Sequence, residues 1–150
     1  MPDESQEERL DRELIELLNE LRVALPGVQV LFAFLLAVPF TQRWEVVTDL
    51  QRNVFYVAVL AATTATILLI APSTYHRIQW REHDKEQMLA TSNRLAIAGT
   101  AFLALAMCCV VFVITDLLYG NGLVAGVTSA TAVAFGWFWY GLPLVRRLRG

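Results

Sequence analysis

The sequence predicts an all-α integral membrane protein, a four-helix bundle made of two helical hairpins and preceded by an N-terminal amphipathic helix. Three observations carry that expectation. Hydrophobic residues make up 56% of the 150 and charged residues 17%, against averages of roughly 45–50% and about 25% for soluble domains. The charge is segregated, collecting in the first 22 residues, between residues 77 and 94, and in the last five positions. The stretches between these clusters are long and almost free of charge. Such a pattern excludes disorder, which needs low hydrophobicity, and nucleic-acid binding, which needs a basic surplus that a net charge of -2 does not provide. A disulfide-built domain is excluded as well, because the only cysteines, Cys108 and Cys109, are neighbours in an apolar run.

Taken in order, residues 1–22 read as an acidic amphipathic helix on the cytoplasmic side. Leu10, Leu14, Leu17, Leu18, Leu21 and Leu25 recur at spacings of three and four, which sets them on one stripe. Ser5 and Glu8 have the spacing of a capping box. Eight acids against three arginines make this helix a poor ligand for anionic lipid. Its stripe is expected to pack on protein, either the middle loop and inner span ends or another subunit; a helix lying in the interface is the alternative. The opening MPDESQEERLDRE lacks the positive start of a secretory signal, so insertion is expected through the first true span.

Residues 23–150 read as the membrane domain, with spans at about 23–40, 54–71, 95–118 and 123–144, a cytoplasmic loop at 72–94 and a tail at 145–150. About 20 apolar residues cross roughly 30 Å of hydrocarbon, so the two 18-residue spans are expected to stand with little tilt or to borrow flanking residues such as Arg22 and Arg52, which snorkel. Ten of the twelve Lys and Arg fall in the N-terminal segment, the loop and the tail; only Arg43 and Arg52 fall on the other side. Both termini are therefore expected in the cytoplasm of a cell bearing this protein in its plasma membrane. An offset of 72 aligns Arg22 with Arg94, Ala24 with Ala96 and Gly27 with Gly99, which suggests tandem hairpins; the alternative is that spans entering from the cytoplasm start alike.

Helices in lipid associate through close packing of small residues. Gly122, Gly126, Ala130 and Ala134 recur every four residues in the fourth span. Ala96, Thr100, Ala104 and Cys108 do so in the third, and Ala58, Ala62 and Thr66 in the second. These are expected contact stripes, within the chain or towards a second copy. Polar residues inside the spans are the candidates for function. Gln29 must meet another helix, a carbonyl or water, since an unpaired amide in hydrocarbon costs several kcal/mol, on the order of 2–7. Thr63, Thr64 and Thr66 lie at comparable depth, although such hydroxyls commonly bond their own backbone. Asp116 is the one acid in an apolar span and reads either as a surface carboxylate, hydrated or paired with Arg52, or as a cation or proton site. In the loop, His76 and His83 lie seven apart, near Asp84 and Glu86, but no metal site is expected. No nucleophile motif, phosphate loop or zinc signature occurs, so neither enzymatic activity nor a cofactor is expected.

Several runs also carry a resemblance: Glu20 to Val23 (ELRV), Gly27 to Gln29 (GVQ), Leu35 to Phe40 (LLAVPF), and Pro72, His76 and Arg77 (P-x-x-x-H-R). Over most of the chain the sequence resembles a family of small bacterial four-span membrane proteins of unknown function. On that resemblance Arg22, Gly27, Gln29, Pro39, Phe40, Pro72, His76 and Arg77 are motif residues. Some members carry a sodium:proton antiporter label. Such antiporters are far larger and bind cations through paired acids within the membrane, whereas this sequence offers only Asp116. An arginine before a Gly-Val and Ala-Phe first span is similar to small potassium channels built of repeated bundles, but the signature acid after Arg22 is absent. The expected function is an oligomeric channel or transporter, with a pathway involving Gln29, Thr63, Thr64, Thr66 and Asp116. The alternative is a membrane adaptor that recruits a cytoplasmic protein through its N-terminal helix and middle loop. The expected partners are the lipid bilayer, further copies of the chain and such a protein, with no nucleic acid.

Overall fold

The computed structural model describes residues 6–78, 85–119 and 121–149, and the regular structure among them is helical throughout. Helix α1 (Gln6–Ala37) is followed by two short 3-10 turns (Val38–Phe40 and Gln42–Val46). Helices α2 (Asp49–Ile78), α3 (Lys85–Tyr119) and α4 (Asn121–Phe135) follow, then a six-residue π-helical segment (Gly136–Gly141) and α5 (Leu142–Arg149). Four helical stretches, Glu8–Phe40, Asp49–Ile78, Lys85–Tyr119 and Gly122–Leu148, are long and apolar enough to cross a membrane.

The expected boundary between an amphipathic helix and a first span is absent, because α1 runs through it as one helix of 32 residues. Nothing in Leu-Arg-Val-Ala-Leu disfavours helix, and Pro26 removes only one internal donor, leaving the Arg22 carbonyl without its helical partner. Packing also crosses the junction. Leu14, Leu21, Val28 and Leu35, seven residues apart, are all at most 5% exposed. Pro39 then stops the helix, and Thr41, in extended conformation, donates both its N–H and its Oγ1 hydroxyl to the Val38 carbonyl at 3.0 and 2.8 Å.

Helix α2 carries the clearest seam: Gln51, Phe55, Ala58, Ala62, Ala65, Leu69 and Pro72 are buried at alternating spacings of four and three. A strict spacing of four advances about 400° per step and drifts off a face, whereas a mean of 3.5 follows a partner helix. This is why Thr66 leaves the seam that Ala58 and Ala62 begin, and bonds the Ala62 carbonyl with its hydroxyl at 2.8 Å. On α3, Ala96 and Ala104 are buried, but Thr100 turns its hydroxyl onto the Ile97 carbonyl at 2.9 Å. The α3 seam adds a residue outside the predicted stripes, Gly99, where a Cβ would lie 2.7 Å from Leu69 Cγ.

The α4 stripe behaves differently. Gly122, Gly126, Ala130 and Ala134 are all exposed, and a Cβ added to either glycine meets nothing within 4 Å. Within the chain α4 packs through Val124 instead. The predicted fourth span is also not one regular α-helix. Pro143 has no N–H to donate and its ring crowds the preceding turn, so the helix widens just before it; the Leu142 N–H reaches back to the Trp137 carbonyl.

The chain forms two compact units. One comprises Met1–Phe34 with Ala62–Phe102, the other Leu35–Ala61 with Leu103–Gly150. Each draws on both halves of the sequence, so the units do not follow the two hairpins of the suggested repeat. The aligned glycines differ too, for Gly99 is packed against Leu69 and Gly27 meets nothing.

Candidate functional site

In the first unit, α1 and α2 enclose a groove of about 750 Å³ lined by Leu18, Arg22, Leu25, Pro26, Gln29, Ser73, His76 and Arg77. The α1 residues recur at helical spacing and form one face, as do Ser73, His76 and Arg77 on α2. Arg22 and Arg77 are exposed, and neither makes a salt bridge among the described residues. His76 is half-buried and hydrogen-bonded or otherwise paired. Gln29 opens into the groove and makes no hydrogen bond among the described residues. The site thus gathers two guanidiniums, an imidazole, an amide and a hydroxyl beside leucine and proline. Among the described residues no carboxylate lines it.

A second groove of about 480 Å³ runs between α1 and α3, lined by Arg9, Leu10, Glu13, Glu16, Leu17, Glu20, Glu86, Leu89, Ala90 and Asn93. At about 100° per residue, Glu13, Glu16 and Glu20 project on the side of α1 opposite Arg22. Asp11 accepts an ion-paired hydrogen bond from Lys85 Nζ at 2.9 Å. The leucine stripe divides between these surfaces and the interior: Leu14 and Leu21 are buried, while Leu10, Leu17 and Leu18 are half-buried. Glu8 makes interactions of its own, and Ser5, its expected capping partner, lies outside the described residues.

The second unit holds Asp116, whose partner is Gln51 and not Arg52. Gln51 Nε2 donates to Asp116 Oδ2 at 2.7 Å, while Arg52 pairs with Asp49 at 3.2 Å. The reason lies at the start of α2. Thr48 is its N-cap: the Gln51 N–H donates to Thr48 Oγ1 at 3.3 Å, and the Thr48 N–H donates to Gln51 Oε1 at 3.0 Å. With Oε1 engaged in this reciprocal cap, the amide nitrogen is left to face the carboxylate. The positive end of α2 also favours an anion there. The sequence signal for this pairing was Thr48-Asp-Leu-Gln51, a capping-box spacing that the reading of charges alone passes over.

The expected pathway residues therefore divide. Gln29 belongs to the basic groove of the first unit and Asp116 to the capped pair of the second, while Thr63 and Thr64 have partners and Thr66 bonds its own helix. His83 and Asp84 lie outside the described residues. Among the described residues no group of three or more His, Cys, Asp and Glu is arranged to hold a metal.

The motif runs that lie far apart in sequence, around Arg22 to Gln29 and around Pro72 to Arg77, thus meet at one groove. A sequence model of one family matches residues 3–143, nearly the whole chain. The chain belongs to DUF6328, a family of unknown function. That membership agrees with the resemblance carried by the same runs. No curated protein and no solved structure matches the chain.

Proposed function

We propose that this member of DUF6328 is a multi-pass plasma-membrane protein, with both termini in the cytoplasm, that recognises an anionic ligand at the groove between α1 and α2. It acts as a non-catalytic accessory or adaptor subunit. The observation that carries this reading is the convergence of Arg22 and Arg77 on one groove where, among the described residues, neither is ion-paired and no carboxylate joins the lining. Guanidiniums recognise carboxylate and phosphate through paired, planar hydrogen bonds, and Gln29 and Ser73 add neutral partners. The buried part of the leucine stripe supports an adaptor whose outward face is acidic, since Leu14 and Leu21 are already engaged within the chain.

A titration of inorganic phosphate into the protein in neutral detergent, read as a melting-temperature shift, tests the proposal. Wild type is expected to gain stability saturably, and the double variant Arg22→Gln/Arg77→Gln to gain none. An equal response in both would overturn it. An oligomeric channel or transporter remains the second reading, favoured by the small-residue stripe that a single chain leaves open on α4.

A further inference from the structure

We infer that the ligand of this groove is the phosphodiester headgroup of an anionic glycerophospholipid, held from the cytoplasmic leaflet; this rests on the anion-recognition reading above. Depth is the first argument. Arg22 immediately precedes the uncharged run 23–40, and Arg77 immediately follows the uncharged run 53–76. With those runs in hydrocarbon, both guanidiniums lie at headgroup level, where basic pockets between membrane helices meet lipid phosphates. They line the same groove, so one phosphate can receive donors from both helices.

The second argument is the graded lining. Leu25 and Pro26 continue the α1 face inward from Arg22, and Gln29 follows on that face about 10 Å deeper along the helix. Charge at the rim with the apolar surface of Leu25 and Pro26 directly below it matches a lipid, which presents its phosphate outermost and its acyl chains deeper. A free phosphate uses only the rim. Charge supplies the third argument. Zwitterionic headgroups bring an ammonium beside two arginines, and among the described residues no carboxylate lines the groove to receive it. The acids of α1 that might have done so, Glu13, Glu16 and Glu20, line the other groove.

The test compares lipid retained by the full-length protein after extraction from bilayers containing equal phosphatidylglycerol and phosphatidylcholine, read by native mass spectrometry. Wild type is expected to retain phosphatidylglycerol about thirtyfold over phosphatidylcholine, given roughly 1 kcal/mol for each of the two arginines near an anionic surface. Arg22→Gln/Arg77→Gln should abolish that preference, and Arg22→Lys/Arg77→Lys, which keeps the charge and the fold, should restore part of it. Equal retention of the two lipids by wild type overturns the inference, as does an undiminished preference in the Gln variant. A parallel arm titrates inorganic phosphate into protein held in pure phosphatidylcholine nanodiscs. A phosphate response that depends on both arginines, without lipid preference, overturns the lipid assignment and leaves anion recognition standing; no response in either arm overturns both.

Discussion

The buried seam of α2 and the bare face of α4 are built from the same residue types and behave in opposite ways. At the first, Ala58, Ala62 and Ala65 are fully buried, and Gly99 comes so close to Leu69 that a single added carbon would collide. At the second, Gly122, Gly126, Ala130 and Ala134 stand exposed. A third of the most apolar window of α2 is buried, against 6% for that of the stretch Gly122–Leu148 that α4 begins. Small residues remove the obstacle to close approach; they supply no attraction of their own. What separates the two faces is the presence of a bulky complementary side chain, Leu69, opposite the gap.

The largest effect should come from Gly99→Ala. The new methyl would overlap Leu69, which has no exposed direction in which to move, and overpacking of this kind costs about 2 kcal/mol. Denaturation of the protein in mixed micelles should show the loss, and an unchanged midpoint would refute the close contact. A smaller effect, about 1.5 kcal/mol, is expected for Gln51→Leu. That change removes the donor to Asp116 and half of the cap on α2. Asp116→Asn keeps an acceptor oxygen and should cost less in the same titration, so a reversed order would show that Gln51 serves α2 alone. The smallest effect belongs to Gly126→Ala, which meets open space and should change stability by less than about 1 kcal/mol, if anything upward through helix propensity. A loss as large as that of Gly99→Ala, together with a detergent-solubilised mass above that of one chain, would mean that a second copy covers α4. A strictly monomeric mass would overturn the channel reading.

Much of this was legible in the sequence because burial in a membrane is written in composition. The four apolar stretches correspond to helices long enough to cross, and Thr48 and Gln51 announce a helix start to anyone matching the capping pattern. The continuity of α1 was harder to see, since the change from charged to apolar at Arg22 alters the surroundings of the chain and not its backbone preference. The partner of Asp116 is hidden in the sequence for a related reason. Charge suggested Arg52, but one residue on a helix is a turn of about 100°, and that rotation hands the contact to Gln51.

By itself the sequence determined that the chain is helical, which segments are apolar enough to cross a membrane and where its charge collects, because each is a property of consecutive residues. Only the tertiary structure decided that Arg22 and Arg77 share one groove while Glu13, Glu16 and Glu20 line another, and that Gly99 is packed while Gly126 is bare. These depend on the rotation of each helix about its own axis. Local sequence leaves that rotation open, and packing fixes it by matching a large side chain on one helix to a gap on the next.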